Sequence, residues 1–396
     1  MRILVVHNFY QQPGGENVVA QQEIERLQAT DDVFVYQRHN AEINSFGVVG
    51  KLNFALDTIH SRTTVADITK IAKEFRPDFA YVHNIYPLIS PSLYHTLHAS
   101  GVPILQVVHD FRPFCSNGLF YTRGRLCDAC KDGNHLHAIW NKCYKNSYVF
   151  SAIYAAAMDR CRRSGALDKV DAFLCLTEFG RDLVTGLGIA PHKVFVRPNS
   201  IDASQVLPSK ETGDYVAYIG RLSSEKGLMT LLRAFEQLKG VNLKIAGTGP
   251  MEEELRAYVS KKPDLPVELV GFVAGEQKSE FLRKSRFVVV PSEWYETFGM
   301  VIVEAYAAGK PVVASDLGGI GSLVQNGVTG LLFKPGDPSD LARQIEALWR
   351  APESVGRMGA CARRVVEERF SPAAVYRQLI AIAQQVCARR QSQAAD

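Results

Sequence analysis

Phe287-Val288-Val289-Val290-Pro291-Ser292-Glu293-Trp294-Tyr295-Glu296-Thr297-Phe298-Gly299-Met300-Val301-Ile302-Val303-Glu304-Ala305 reads as a strand, a loop and a helix in direct succession. Phe287–Pro291 is apolar without alternation, the pattern of a strand covered on both faces of a parallel sheet. A loop holding Glu296 follows. A helix then starts near Phe298-Gly299 and runs to Ala308, where Gly309-Lys310-Pro311 stops it. Gly299 lets a ligand come close to the backbone. The unpaired N–H groups of that first turn, at the positive end of the helix dipole, suit an anion or a sugar hydroxyl. Glu304 lies two turns into a helix of apolar and small residues, so its carboxylate needs a partner, and ribose hydroxyls are one. A plain solvent-facing glutamate is the competing reading.

The same cycle repeats outward in both directions. Toward the N-terminus the strand candidates are Ile3–Val6, Val33–Gln37, Phe79–His83, Ile104–His109, Phe173–Thr177 and Val194–Arg197. In the second half they are Tyr215–Gly220, Asn242–Ala246, Val267–Val270, Phe287–Pro291 and Pro311–Ala314, with helices such as Gly227–Leu238 and Met251–Ser260 between them. Periodicity lapses over Ile201–Asp214, the expected linker. The fold class is α/β, with two doubly wound parallel-sheet domains. Residues 1–205 form the first domain, with an irregular insertion over 110–148. Residues 214–370 form the second, and 371–396 a last helix long enough to pack back on the first. In such sheets ligands sit beyond the carboxyl ends of the strands.

One of those ends is Ile219-Gly220-Arg221-Leu222-Ser223-Ser224-Glu225-Lys226-Gly227. Arg221 and Lys226 stand on a glycine-bounded loop where both cations can converge on a diphosphate, Arg as a fork and Lys as a point charge. Alone this is an ordinary surface turn; beside Glu296 and Glu304 it becomes a site.

Composition narrows the function. Lys and Arg exceed Asp and Glu by only 45 to 41, which disfavours a nucleic-acid partner. No run approaches the roughly 20 apolar residues of a membrane span, and Met1–Val6 reads as a buried strand, not a signal peptide. The expectation is a cytoplasmic protein.

The Glu296-x7-Glu304 spacing and the Gly220-Arg221…Lys226-Gly227 loop resemble the retaining glycosyltransferases of family 4. Gly309-Lys310-Pro311-Val312-Val313-Ala314-Ser315 and Asn326-Gly327-Val328-Thr329-Gly330-Leu331-Leu332-Phe333 strengthen the likeness. It covers 215–335 almost continuously and the N-terminal half in patches. The resemblance implies a GT-B fold, two doubly wound domains facing across a cleft. It also implies roles: Arg221 and Lys226 on the donor diphosphate, Glu304 on the ribose, and Glu296 on the transferred sugar. Backbone amides near Phe298, Gly299 and Met300 would add contacts. The donor would be a UDP- or GDP-sugar and the acceptor a glycan or lipid-linked glycan, in cell-envelope or exopolysaccharide assembly.

After the first strand, Gly14-Gly15 lets the chain wrap a phosphate at a helix start. It is not a G-x-G-x-x-G fingerprint, which disfavours a nicotinamide enzyme; a simple strand-to-helix turn is the alternative. In the family such a loop lies over the donor phosphates and admits the acceptor. His109-Asp110 ends a strand where the family carries a histidine near the donor sugar, and His83-Asn84 ends its neighbour.

Cys115, Cys127, Cys130 and Cys143 follow one another as Cys-x11-Cys-x2-Cys-x12-Cys. A Cys-x2-Cys pair can hold one edge of a tetrahedral structural zinc, and two further thiolates would close it. His135 or His137 could replace a ligand, and unliganded thiols are the other reading. The absence of a leader disfavours disulfides. Tyr148–Arg163 reads as a core helix with a basic end, or as a peripheral membrane contact bearing a lipid-linked acceptor.

No carboxylate pair is placed as in a retaining glycosidase, and no Asp-x-Asp motif points to a catalytic metal. The family's route is front-face transfer: the cations stabilise the departing diphosphate, and a donor phosphate oxygen takes the acceptor proton. The alternatives are a nucleotide-sugar epimerase of the same fold, or a non-catalytic nucleotide-sugar-binding protein.

Overall fold

Continuous apolar strands build both halves of the molecule. The computed structural model describes residues 1–10, 15–45, 54, 57–209 and 213–395. The chain divides into two compact units: residues 1–122, 127–197 and 377–396 form one, and 123–126 with 198–376 the other.

In the first unit six parallel strands run β1 Arg2–Phe9, β2 Asp32–His39, β3 Phe79–Val82, β4 Ile104–Val108, β5 Ala172–Cys175 and β6 Val194–Val196. Their order across the sheet is β2-β1-β3-β4-β5-β6. Ile3, Leu4, Val5 and Val6 have no exposed surface, as do Phe79 to Val82, because helices cover both faces. The order turns at β1, with β2 on one side and β3 on the other. The chain therefore leaves the tips of β1 and β3 in opposite directions and opens a crevice there. His7 and Asn8 stand at one tip, His83 and Asn84 just past the other. Strands expected to reach His83, His109, Thr177 and Arg197 stop one or two residues sooner.

The second unit repeats the plan with β7 Val216–Ile219, β8 Leu243–Ala246, β9 Val267–Gly271, β10 Phe287–Val290, β11 Val312–Ser315 and β12 Gly330–Phe333. The order is β9-β8-β7-β10-β11-β12, all parallel. Val216 lies opposite Leu243 on one side and Phe287 on the other. The switch point falls between β7 and β10, so Gly220-Arg221 and Pro291-Ser292 leave neighbouring tips. β12 comes from the Asn326–Phe333 segment, which pattern alone did not mark as a strand.

Residues of the expected linker belong to the second unit, because that unit staples them. Ile201 N–H donates to Phe370 O, Ser209 N–H to Ala308 O, and Arg363 donates to Ala203 O and Val206 O. Linker residues 210–212 lie outside the described residues. The last helix runs Pro372–Ala395, within the expected 371–396. From Arg377 onward it belongs to the first unit: Leu379, Ile382, Ala383 and Val386 are buried, and Arg390 Nε reaches Asp171 Oδ1 at 2.8 Å.

Candidate functional site

The β7 tip turns through a single helical turn, Ser224–Lys226, into the helix Leu228–Phe235. Gly227 makes that turn possible. Its φ is +69°, and a Cβ there would lie 1.9 Å from Pro291 O. The loop after β7 is thus pressed onto the loop after β10. Glu293 N–H donates to Glu225 O at 2.8 Å, and Thr230 Oγ1 donates to Glu293 Oε1 at 2.5 Å. Gly227→Ala is expected to cost about 1–3 kcal/mol by overpacking and left-handed strain. Gly186→Ala, where a Cβ meets open space, should change stability little. Urea midpoints of the two variants compare them.

This clamp brings Lys226 to Glu296. The ammonium lies 3.0 Å from Glu296 Oε1, and Ser292 Oγ donates to Glu296 Oε2 at 3.0 Å. Lys226 also lies 5.2 Å above the Trp294 ring, whose buried Nε1 has no partner. Arg221 is exposed on the same loop, while its backbone oxygen accepts the Tyr218 hydroxyl at 2.9 Å. The arrangement offers one exposed guanidinium, one ammonium and one carboxylate at a sheet switch point.

The helix Met300–Ala307 begins as its sequence suggests. Gly299 adopts φ +93°, a left-handed start, and no side chain caps the first turn. Phe298 is buried edge-on against Phe370, so only its backbone faces the site. Glu304 has a protein partner, Lys278, at 2.6 Å from Oε1. Burial raises the Glu304 carboxyl above the usual range, and Lys278 opposes that rise.

Four contributors are not marked by the sequence pattern. Lys278 comes from the helix Gly275–Lys284, distant in sequence from Glu304. Gly319 N–H donates to Glu296 O at 2.7 Å, and a Cβ on Gly319 would meet Thr297 O at 2.5 Å, so this glycine clamps the Glu296 loop. Gly247 and Gly249 press on Gly220 O and Leu222 O in the same way. Paired or alternate glycines directly after a strand were the available signal.

In the first unit the tips of β1, β3 and β4 gather histidines. His83 Nδ1 and His109 Nε2 share a hydrogen bond of 2.8 Å with their rings stacked, and His7 meets His83 edge-on at 5.7 Å. Burial depresses His7 to about 4 and His109 to about 3; His7 and Arg197 also act on His109. His83 lies well below its ordinary value, first through burial. Beneath them Arg197 pairs with Glu23 at 2.6 Å, and Tyr81 hydrogen-bonds both. Asn84 N–H donates to His7 Nδ1 at 3.4 Å, which leaves His7 Nε2 to donate to Asn17 Oδ1 at 3.3 Å.

Beside His109 a cavity of about 20 Å³ is lined by Glu16, Asn84, Asp110 and Arg112, among others. Arg112 pairs with Asp110 at 3.2 Å. Burial and then the Asp110 charge raise the Glu16 carboxyl to about 8. Glu16 and Arg112 were not singled out from sequence: Glu16 lies in the first turn of the helix Gly15–Gln28, and Arg112 follows Asp110 in the loop after β4. Gly15 opens the helix Gly15–Gln28; Gly14 lies outside the described residues.

All eight cysteines are free thiols. Cys115, Cys127, Cys130 and Cys143 line one cavity of about 10 Å³, with His137 also on its wall. His135 is absent from that wall, because it is buried against Asp159 at 2.7 Å. Burial, then the neighbouring Cys115, Cys143 and Cys127, pushes the Cys130 thiol up to about 12. Among the described residues no three His, Cys, Asp or Glu side chains stand as a closed metal-ligand set.

Comparison with known proteins matches both halves. Residues 13–205 fit the model described as Glycosyltransferase Family 4, and 199–365 that described as Glycosyl transferases group 1. Glycogen synthase of Mycobacterium tuberculosis is 33% identical over 194 residues, 47% of this chain and 46% of that protein. The D-inositol 3-phosphate glycosyltransferase of Rhodococcus erythropolis is 32% identical over 184 residues, 43% of this chain and 41% of that protein. The chain spans less than half the length of these relatives. The Anabaena protein HepE, solved in complex with UDP, shares the GT-B fold with TM-score 0.70 at 18% identity, over 97% of this chain and 100% of HepE. Sucrose-phosphate synthase from Thermosynechococcus elongatus gives TM-score 0.70 at 18% identity, covering 98% and 99%.

Proposed function

The chain belongs to the family 4 glycosyltransferases, and from that premise we propose that it moves a sugar from a nucleoside-diphosphate sugar to a hydroxyl acceptor with retention of anomeric configuration. The observation that carries this reading is the Lys226–Glu296 pair beside exposed Arg221 at the β7/β10 switch point. A diphosphate brought there meets two cations, and the adjoining sugar meets a carboxylate held by Ser292. Charge develops on the leaving diphosphate as the glycosidic bond breaks, and Arg221 and Lys226 stabilise it. The acceptor hydroxyl attacks from the same face and passes its proton to a donor phosphate oxygen. No catalytic divalent metal enters this route.

Uncapped N–H groups before and after Met300 support contact with the sugar or phosphate. Glu304, paired with Lys278, accepts hydrogen bonds from the ribose hydroxyls. HepE has been solved with UDP, with UDP and glucose, and with UDP-glucose. A UDP-sugar is therefore the first donor to test, and GDP-sugars the second.

Product formation by the wild-type protein and Glu296→Ala tests the site. A lost hydrogen bond from a charged group lowers turnover by about 10–100-fold. Equal turnover in the two proteins contradicts the assignment. Donor conversion without any acceptor points to an epimerase, and donor binding without conversion to a non-catalytic binder.

The acceptor is a glycan or lipid-linked glycan, in envelope or exopolysaccharide assembly, reached at the cytoplasmic face of a membrane. Among the described residues no helix is long and apolar enough to cross a bilayer. Trp140, Tyr148, Val149 and Phe150 are exposed, with Lys142 over the Tyr148 ring and Lys145 over the Phe150 ring. Aromatics interleaved with lysines suit an anionic lipid surface. At about 1 kcal/mol per lysine, Lys142→Glu with Lys145→Glu should weaken sedimentation with phosphatidylglycerol vesicles by roughly tenfold or more. Equal binding to neutral phosphatidylcholine vesicles would remove the membrane contact from the proposal.

A further inference from the structure

The insertion after β4 holds a feature that glycosyl transfer does not use. Cys115, the Cys127/Cys130 pair and Cys143 come from three stretches of the insertion and line a single cavity. Its volume, about 10 Å³, is room for one water-sized body. Nothing in the fold requires four thiols to share a wall, since buried cysteines elsewhere, Cys161 and Cys175, sit singly in a helix and a strand.

Cys115 opens a turn closed by the Gly118 N–H on the Cys115 carbonyl oxygen at 2.8 Å. The turns themselves are tight. Phe120, Arg123, Lys142, Lys145 and Asn146 all adopt positive φ, and Lys142 directly precedes Cys143. Left-handed non-glycine residues are costly and persist only where surroundings over-determine them. The insertion's apolar packing is small: Leu126, Leu136 and Trp140 are exposed, and Phe111, Phe114, Phe120, Tyr121 and Ala138 are its buried apolar side chains besides Cys115.

We propose that Cys115, Cys127, Cys130 and Cys143 bind one structural zinc ion that holds this insertion together. Each thiol gives its proton to water and a sulfur lone pair to the ion, making four Zn–S bonds of about 2.3 Å in a tetrahedron. In the structure the four cysteines line the cavity wall without forming a closed ligand set. Cys115 Sγ donates to Asn117 Oδ1 at 3.1 Å. Cys127 and Cys130 form one edge of the tetrahedron through their Cys-x2-Cys spacing. The ion is structural because four protein ligands leave no open position for a substrate.

The test uses the full chain, purified under reducing conditions, with readouts independent of turnover. Elemental analysis is expected to find about one zinc per chain. Zinc-free protein refilled with Co²⁺ should show the intense visible absorption of tetrahedral thiolate cobalt. Cys127→Ser with Cys130→Ser should lose both signals, and Cys361→Ser, outside the insertion, should keep both. Should the double variant fail to fold, thiol counting on the wild type decides instead. Four thiols should resist reagent until a chelator is added. A chain with no metal and no cobalt spectrum overturns the proposal. So does a disulfide among these four, or undiminished metal in the double variant.

Discussion

Lys226→Ala is expected to lower kcat/KM for the nucleotide-sugar donor by about 10²–10³-fold, the loss seen when one preorganised donor of transition-state stabilisation is removed. The ammonium is held in place from two sides, 3.0 Å from Glu296 Oε1 and 5.2 Å above the Trp294 ring. It needs little reorganisation when negative charge grows on the leaving diphosphate. Removing it also frees Glu296 to swing, so part of the sugar's alignment goes with it. Stability should change by only about 1 kcal/mol or less, because the pair is partly solvated, its side chains being 20% and 14% exposed. A large rate loss with a small change in unfolding midpoint separates a role in the reaction from a role in folding. Lys226→Arg keeps the charge but replaces a point donor with a planar fork, and it should fall between wild type and alanine. Initial rates against donor concentration measure all three, and unchanged rates in the alanine variant would remove Lys226 from the reaction.

Acid should destabilise the protein from about pH 6.5 downward, above the range where ordinary carboxylates titrate. His7, His83 and His109 all have folded values below the ordinary 6.5, chiefly through burial. Between that value and about 4 the unfolded chain binds protons that the folded one does not. Stability therefore rises with pH there, and falls as pH drops from 6.5. Glu16 acts in the opposite sense. Its folded value of about 8 exceeds the ordinary 4.5, so the folded state holds the extra proton between those values, and stability falls as pH rises through them. Glu304 shares that direction. Below pH 6.5 three imidazoles outweigh these two carboxyls; above it only the carboxyls remain. The expected result is a stability maximum near pH 6.5, with an acid slope of roughly 1.4 kcal/mol per pH unit for each net proton. Urea midpoints across pH 4.5 to 8 measure it. Glu16→Gln should steepen the acid limb and flatten the alkaline one. A flat profile in the wild type would show that the imidazoles are not buried in the neutral form.

The fold was legible because parallel strands covered on both faces must be continuous apolar runs. Ile3–Val6 and Phe287–Val290 announce themselves in that way. The loop residues Arg221, Lys226 and Glu296 were legible because charges and glycines directly follow those runs. Pairings made through space were not. Lys278 reaches Glu304 from another helix, and Arg197 at the end of one strand neutralises Glu23 on the first helix. His7 near the end of β1, and His83 and His109 just past β3 and β4, belong to strands that sequence separates and the sheet order brings side by side. Each residue has an ordinary local reading, and only the topology supplies its partner. Gly319 was hidden differently. Its signal is a glycine in a turn after a strand, and the same signal marks many turns without a ligand.

In a crystal structure of the protein with an unhydrolysed UDP-sugar, the pyrophosphate is expected on the loops after β7 and β10, within hydrogen-bond reach of Arg221 and Lys226, with the sugar hydroxyls on Glu296. A donor bound elsewhere, with neither cation on its phosphates, would contradict this placement.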